Sequence, residues 1–420
     1  MASEILYSIP FENISNKIIH KKAKLPEDRE YWVLKYDANY TCNNDLSFGL
    51  YRSVIYDSTE KLLAFSPPKS MEYETFIKKY ITNTTDGTTD TTNNNKNTNI
   101  FINEIIEGTM INLFFDVNAN QWEISTKGAV GANYWFYRNQ YLLDTTAKQP
   151  TFREMFLEAL STTDSDSESS PDFQYRFETL NKSWSYTFVL QHPANHIVLN
   201  IKKPKLYLVA VYEIRRESSE VRFISPLEYE SESNKGMFQG LCIEFPKRYL
   251  ESESNIKTLE KEYCSIHSPN TSVGLMFTNL ETGERATLEN PSYVQLCELR
   301  GNNPNLQYQY LSLKHMRKVD EFLKAFPQYK AIFWKFYTNY SDFVTNLHQS
   351  YVTYYIKKME VKISKQYFPL VYKMHHEVYL PSLSTESKTI MKRKVVSDYV
   401  KNLTPGELIY YLNYPLNHKE

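Results

Sequence analysis

Lysines and tyrosines near the C-terminus are the first residues whose types and spacing could carry chemistry. Lysine ammonium groups bind phosphate oxygens and exposed aromatic rings stack on unpaired bases, so the combination is typical of a surface that holds a nucleic-acid strand. The candidate nucleic-acid-binding residues are Lys357, Lys358, Lys362, Lys365, Lys392, Arg393 and Lys394. The same charges also suit the solvated faces of ordinary helices, and the sequence leaves both interpretations open.

Several common catalytic and metal-binding patterns do not occur in the 420 residues. There is no G-x-G-x-x-G or G-x-x-x-x-G-K-[ST] loop for phosphates and no G-x-S-x-G turn for a serine nucleophile. The His375-His376-Glu377 run lacks H-E-x-x-H spacing, and no two of the four cysteines stand in C-x-x-C spacing. We therefore predict no metal site, and we expect the reduced thiols of an intracellular protein.

Five segments in a fixed order carry most of the remaining information. They are Tyr51–Ile55 with Ala64–Ser70, Glu104–Met110 with Ser125–Gly128, Phe188–Val198, Val273–Phe277 and Thr287–Tyr293. In order and spacing they resemble motifs of the RNA ligase 1 family of bacteriophages and its relatives in large DNA viruses, among them E-K-x-D-G-S-L, F-E-φ-φ-x-P-x-N-R-I-V and K-φ-K-N-x-x-Y. The resemblance covers about residues 45–300. It implies an antiparallel-sheet nucleotidyltransferase (ATP-grasp-like RNA ligase) domain.

The same resemblance implies where the catalytic groups of such a ligase would lie. Members of the family attack the α-phosphate of ATP with a lysine amine, and the matching position here is Ile105. The two glutamates that serve the ribose and the metal correspond to Val189 and Val273, which cannot coordinate Mg²⁺. The two lysines that neutralise phosphate charge correspond to Thr287 and Glu289. Since none of these positions has the group that the chemistry needs, we expect adenylylation to be lost.

The replacements are apolar and β-branched at three of these positions, which suits buried strands. We therefore hypothesise that the former nucleotide pocket is partly filled with hydrocarbon. Residues that the resemblance marks as remnants of this pocket are Arg52, Glu107, Gly108 and Lys127. Each of them can also be explained as a turn glycine or a solvated charge, and no catalytic residue is assigned.

Hydrophobic patterning up to about residue 308 is mostly that of strands. The predicted strands are Tyr31–Tyr36, Gly49–Tyr56, Ile100–Ile106, Met110–Val117, Trp184–Leu190 and Leu206–Ile214, and the predicted helices are Met71–Tyr80, Phe152–Leu160 and Asn255–Cys264. So few intervening helices favour an α+β fold with antiparallel sheets over a wound parallel sheet. Two stretches near 82–99 and 161–170 contain no hydrophobic residue, and we predict that they are disordered insertions.

From about residue 309 the pattern becomes helical. Apolar residues recur at steps of three and four, which predicts one long helix with a buried stripe. The stripe consists of Phe333, Phe336, Tyr340, Phe343, Leu347, Tyr351 and Tyr354, and further helices are predicted at His315–Phe326, Glu386–Leu403 and Gly406–Leu412. Residues 311–420 contain 17 Lys and Arg against 9 Asp and Glu, although the whole chain carries a formal charge of -1. An acidic ligase-like domain, 1–308, thus precedes a basic helical domain, 309–420.

Three functions remain open from the sequence. The leading hypothesis is a ligase-like protein that has lost adenylylation and acts by binding RNA or a protein partner, without a cofactor. The first alternative is an active ATP-dependent RNA ligase with divergent motifs, which would need ATP and Mg²⁺. The second alternative is a structural virion component. We find neither a signal peptide nor a run of ~20 apolar residues, so we expect no membrane contact and a location in the host cytoplasm or the virion.

Overall fold

The computed structural model describes residues 5–11, 17–37, 46–81, 99–136, 149–161, 173–195, 197–249, 256–384 and 388–418. These residues form two compact units: one contains the described residues up to Trp135 and from 149 to Glu298, and the other begins at Leu299 and includes Phe136. The division falls somewhat before the predicted boundary at 308. Apart from Asn99 and Ser161, the predicted insertions lie outside the described residues.

The first unit consists mainly of β-strands. They are β1 Leu6–Ser8, β2 Ile18–Lys24, β3 Glu30–Tyr36, β4 Val54–Asp57, β5 Leu62–Phe65, β6 Met71–Glu72, β7 Ile100–Glu104, β8 Thr109–Asp116, β9 Gln121–Thr126, β10 Ala129–Val130, β11 Trp184–Gln191, β12 Lys205–Arg215, β13 Glu220–Ile224, β14 Ile243–Glu244, β15 Arg248–Tyr249, β16 Gly274–Asn279 and β17 Arg285–Glu289. Within the described ranges they form an eight-stranded sheet in the order β1-β13-β12-β11-β8-β9-β10 with β14 beside β12, a five-stranded sheet β15-β7-β16-β17-β6, and a four-stranded sheet β2-β3-β4-β5. Pairing is antiparallel except between β12 and β14 and between β17 and β6.

Short helices accompany these sheets. They are α1 Leu46–Leu50, α2 Tyr73–Tyr80, α3 Phe152–Ala159, α4 Pro226–Tyr229, α5 Glu232–Lys235, α6 Ile256–Tyr263 and α7 Pro291–Arg300. The predicted helices at 71–80, 152–160 and 255–264 are confirmed to within two residues. The strand predicted over Gly49–Tyr56 is wrong at its start, because the chain is helical through Leu50 and extended only from Val54.

The second unit is helical. Its α-helices are α8 Leu306–His315, α9 Val319–Ala325, α10 Lys330–Tyr351, α11 Phe368–Met374, α12 Leu380–Ser382, α13 Arg393–Lys401, α14 Pro405–Leu412 and α15 Tyr414–Asn417, and two π-helices, π1 Val352–Ile356 and π2 His375–Tyr379, directly follow α10 and α11. The predicted class, α+β with antiparallel sheets followed by a helical C-terminal region, is confirmed. No helix in the described part of the chain is both long and apolar enough to cross a bilayer.

Helix α10 supplies the predicted apolar stripe. Its stripe residues from Phe333 to Tyr351 are buried, whereas Tyr354 is 40% exposed and lies in π1. The stripe therefore ends one turn earlier than predicted.

A buried pair of side-chain amides connects α8 with the residue that follows α14. Gln307 and Asn413 each donate a side-chain hydrogen bond to the other, at 3.2 and 2.9 Å. This pair explains why α8 belongs to the helical unit although it begins before position 308.

Two glycines lie where neighbouring strands approach closely. A Cβ atom at Gly108 would overlap the carbonyl oxygen of Leu190, and one at Gly274 would overlap that of Leu288. Gly236 differs from both, because a Cβ atom there would meet no heavy atom within 4 Å. The first two positions therefore exclude any side chain for reasons of space.

We predict that Gly108→Ala or Gly274→Ala lowers the free energy of unfolding by about 1–3 kcal/mol, because the new methyl group displaces backbone of an adjacent strand. Gly236→Ala serves as the matched control and should change stability by less than ~0.5 kcal/mol. Urea denaturation of the three variants measures the difference. Equal stability of all three would contradict the close strand approach.

Candidate functional site

The loop Ile105–Gly108 connects two sheets of the first unit. It follows β7 of the five-stranded sheet and precedes β8 of the eight-stranded sheet. The Ile105 amide donates to the carbonyl oxygen of Gly274 at 3.0 Å, and Met110 pairs with Val189 in the adjacent strand. The pairing of these strands thus brings the second, third and fourth of the motif segments together.

Glu107 is the buried anchor of this loop. Its carboxylate accepts hydrogen bonds from the backbone amides of Ile197, Val198 and Leu199 at 3.0–3.3 Å. It also accepts one from the Tyr293 hydroxyl at 2.8 Å. A carboxylate that loses water on burial needs such donors, and amides and a phenol supply them here. Burial and the charge of Glu107 raise the pKa of Tyr293, so this hydroxyl remains a donor.

A cavity of about 200 Å³ lies beside this loop. Of the residues assigned from the sequence, Arg52, Ile105, Gly108 and Val189 line it. Its volume is below the ~300–1,000 Å³ of typical small-molecule pockets. Ile105 and Val189 are part of the apolar wall of this cavity. No lysine is among the described residues that line it.

Charged side chains of both signs line this cavity, since Glu104 and Glu230 belong to the lining together with two arginines. Arg285 on β17 and Arg52 both line the wall, and within the described ranges neither forms an ion pair with a carboxylate. Arg285 donates one hydrogen bond, to the carbonyl oxygen of Pro68 at 2.7 Å, while its Nε atom is buried without a partner. Burial and the nearby charge of Arg52 lower the pKa of Arg285. Arginine offers several fixed donors to phosphate or carboxylate oxygens, whereas the carboxylates of Glu104 and Glu230 on the same lining repel an anion.

The phenol of Tyr212 faces the same cavity. Its hydroxyl is buried and has no hydrogen-bond partner among the described residues. Burial raises the pKa of Tyr212 to about 12, although the two arginines act in the opposite direction. The hydroxyl therefore adds a neutral donor beside the guanidinium groups. The donors of Arg52, Arg285 and Tyr212 thus share this cavity with the carboxylates of Glu104 and Glu230.

The other assigned positions lie outside the cavity lining. Val273 is buried immediately before β16, and Thr287 and Glu289 lie on β17 without reaching the cavity. Lys127 is solvent-accessible, with its amine over the ring of Tyr36 at 4.7 Å. The protein around this amine and the charge of Arg52 lower the pKa of Lys127.

Arg285 lines the cavity but was not assigned from the sequence. It stands two residues before Thr287 on the same strand, and side chains two apart on a strand share a face. The family pattern places a lysine at 287, so a cation displaced by two positions would keep the charge on that face. A search for basic residues at even spacing from the expected lysine would have found it.

The basic residues assigned in the second unit are all exposed. Arg393 is held on α10, where its guanidinium donates to the hydroxyls of Thr345 at 3.2 Å and Ser341 at 3.1 Å. The lysines at 357, 358, 362 and 365 lie between π1 and α11. Among the described residues, no group of three or more His, Cys, Asp or Glu side chains is placed so that it could hold a metal ion.

Comparison with known proteins identifies similar viral proteins. The chain is 22% identical over 285 residues to the RNA ligase of Rhodothermus phage RM378, covering 63% of this chain and 60% of the ligase. It is also 22% identical over 288 residues to the immediate-early protein ICP-46 homolog of Invertebrate iridescent virus 6, covering 66% of this chain and 58% of that protein. The resemblance to viral RNA ligases is confirmed. The ligase-like chain spans only about three fifths of the length of these relatives.

Family models and solved structures add little to this relationship. No family model matches the ligase-like chain. Similar solved structures include a putative ATP-dependent DNA ligase from Aquifex aeolicus, with a TM-score of 0.38, 11% identity and coverage of 95% of this chain and 73% of that one. An RNA ligase from Naegleria gruberi has a TM-score of 0.36, 12% identity and coverage of 70% of this chain and 84% of that one.

We predict that Glu107→Gln lowers the free energy of unfolding by about 1–3 kcal/mol. The glutamine NH₂ group would face the backbone amides and the Tyr293 hydroxyl, which are themselves hydrogen-bond donors. Tyr293→Phe should cause a smaller loss of about 1 kcal/mol, since the backbone amides still solvate the carboxylate. Denaturant titration measures both changes, with the exposed Glu178→Gln as the neutral control. Unchanged stability of Glu107→Gln would show that the network contributes nothing.

Proposed function

We propose that this chain is a ligase-like protein that does not form a lysine–AMP adduct and acts by binding RNA. The observation that carries the first part is the cavity beside Ile105, whose described lining contains two arginines and two glutamates but no lysine. Adenylylation requires an amine that can reach the α-phosphate. Neither arginine can replace it, because a guanidinium remains protonated and is a poor nucleophile.

The second part of the proposal rests on the charge and exposure of the helical unit. Six of its assigned basic residues are lysines with exposed side chains, and the segment 357–365 contains four lysines but only one acidic residue, Glu360. A strand of phosphates is the partner that such a surface attracts most strongly. The phage relative is named an RNA ligase, and this favours RNA as the polymer.

An active ligase with a displaced nucleophile is the second candidate function. The lowered pKa of Lys127 favours it, since a lysine near another cation loses its proton more readily and becomes nucleophilic. Against it, Lys127 does not line the cavity but lies over Tyr36. Substitution of Lys127 can therefore distinguish an active ligase from a protein that only binds RNA.

We predict that incubation with ATP labelled at the α-phosphate and with Mg²⁺ or Mn²⁺ leaves no covalent label on the chain. Denaturing gel electrophoresis of the reaction gives the readout. Lys127→Ala and Lys127→Arg are the matched variants. A labelled band in the wild type that both variants lose would identify Lys127 as the nucleophile and overturn the first part of the proposal.

We predict that RNA affinity falls steeply with salt and that this dependence comes from the helical unit. Replacing Lys357, Lys358, Lys362 and Lys365 together by Gln should reduce the slope of log K against log salt by up to about 3, because each lost phosphate contact to a single strand contributes ~0.7. Fluorescence anisotropy with labelled RNA over a range of salt concentrations measures the slope.

A matched control separates this surface from a general effect of charge. Lys202, Lys203, Lys257 and Lys261 are exposed lysines of the first unit, and their replacement by Gln removes the same charge. This control variant should bind RNA with the wild-type slope. A flat salt response in the wild type, or an equal effect in both variants, would rule out the proposed surface.

A further inference from the structure

The π-helix π1 follows the end of α10, and the backbone there has an unusual geometry. The Lys357 amide bonds to the carbonyl oxygen of Val352, five residues back, and the Met359 amide bonds to that of Thr353. Lys358 then adopts the left-handed conformation with φ 48°, which is uncommon for a residue that is not glycine. Single π-turns and left-handed residues occur preferentially where a side chain must be held in a particular place.

Contacts on the inner side fix this turn. Tyr355 stacks on His375 of π2 with ring centroids 3.6 Å apart and planes within 5°. The hydroxyl of Tyr351 bonds to Nδ1 of the same histidine at 3.1 Å. Burial and the charge of His376 lower the pKa of His375, so its ring stays neutral at pH 7. The two π-helices therefore hold each other through one histidine.

Tyr354, next to the clamped tyrosine, reaches solvent instead. Its ring lies 5.8 Å from that of Phe368 at an angle of 89°, and the two side chains are 40% and 41% exposed. Together with Val361, Ile363 and Pro369 they line a groove of about 390 Å³, whose remaining lining residues are Lys362 and Lys365. We call this groove the aromatic corner. The two accessible aromatic rings stand at a right angle and can hold one flat ring between them. The lysines beside them can bind negatively charged groups on either side of that ring.

We propose that the aromatic corner binds an unstacked base of single-stranded RNA, with Lys362 and Lys365 on the neighbouring phosphates. This inference rests on the proposed RNA binding and specifies the kind of strand. A base can stack on one ring while the other ring contacts its edge, and stacking does not depend on which base it is. In a duplex the bases already stack on each other, so only the lysines would contribute. The lysines favour a polyanion over an apolar protein segment as the occupant.

The test compares single-stranded and duplex RNA of about 12 nucleotides, a length within the ~4–16 nucleotides that single-strand sites cover. Tyr354→Leu and Phe368→Leu should each weaken binding of the single strand by roughly 5- to 150-fold and change binding of the duplex less than about twofold. Neither change should alter the salt slope, whereas Lys362→Gln should lower it by about 0.7. Tyr410→Leu removes a tyrosine that is 51% exposed on α14 and should bind both RNAs like the wild type.

The outcomes separate the two proposals. A wild-type chain that binds neither RNA overturns RNA binding and the aromatic corner together. Single-strand binding that both aromatic substitutions leave unchanged overturns the aromatic corner alone. If those substitutions instead abolish self-association in sedimentation and leave RNA binding intact, the groove is a protein contact and the inference fails. Circular dichroism of each variant verifies that it is folded, and the two aromatic positions test the same groove independently.

Discussion

The hydrogen bonding of the buried Glu107 carboxylate is the interaction on which the site in the first unit depends. Through this one side chain, the loop that connects the two sheets is bonded both to the segment 197–199 and to α7. The side chains of Ile105 and Ile106 line the cavity and are apolar, so they offer the loop no hydrogen bonds. With the carboxylate solvated by amides, the loop is held where Ile105 and Gly108 line the cavity. Position 107 therefore preserves the geometry of the site without contributing to its chemistry.

The buried carboxylate at 107 and the apolar residues at 105 and 189 differ in what their substitution would cost. A buried carboxylate surrounded by donors cannot be removed without leaving those donors unsatisfied, and that penalty is large in a low-dielectric interior. The residues at 105 and 189 are different, because each faces a cavity and can become apolar without disturbing the sheets. Apolar residues at 105 and 189 are thus compatible with a stable fold, whereas loss of the Glu107 carboxylate is expected to destabilise it.

Much of the fold could be read from the sequence, and the failures have identifiable causes. Strands such as β8 and β11 are long and rich in aromatic and β-branched residues, so their positions follow from composition. Helices α7, α8 and α11 were missed because long-range contacts, such as the Gln307–Asn413 pair, stabilise segments whose local pattern is weak. Tyr354 was assigned to the buried stripe because regular helical spacing cannot reveal a π-turn. Arg285 was not assigned because only the lysine positions of the family pattern were considered, and it lies two residues before one of them.

The arginine pair limits what the apolar replacements can mean. Two guanidinium groups of like charge beside one small cavity are unfavourable, because each loses hydration and each repels the other. A former nucleotide pocket that had become ordinary core would gain stability by replacing them with hydrocarbon. Arg285 instead has a buried Nε atom without a partner, next to an unpaired Tyr212 hydroxyl. The apolar residues at 105 and 189 and the polar groups at 52, 212 and 285 are therefore separate properties of a cavity that Glu104 and Glu230 also line.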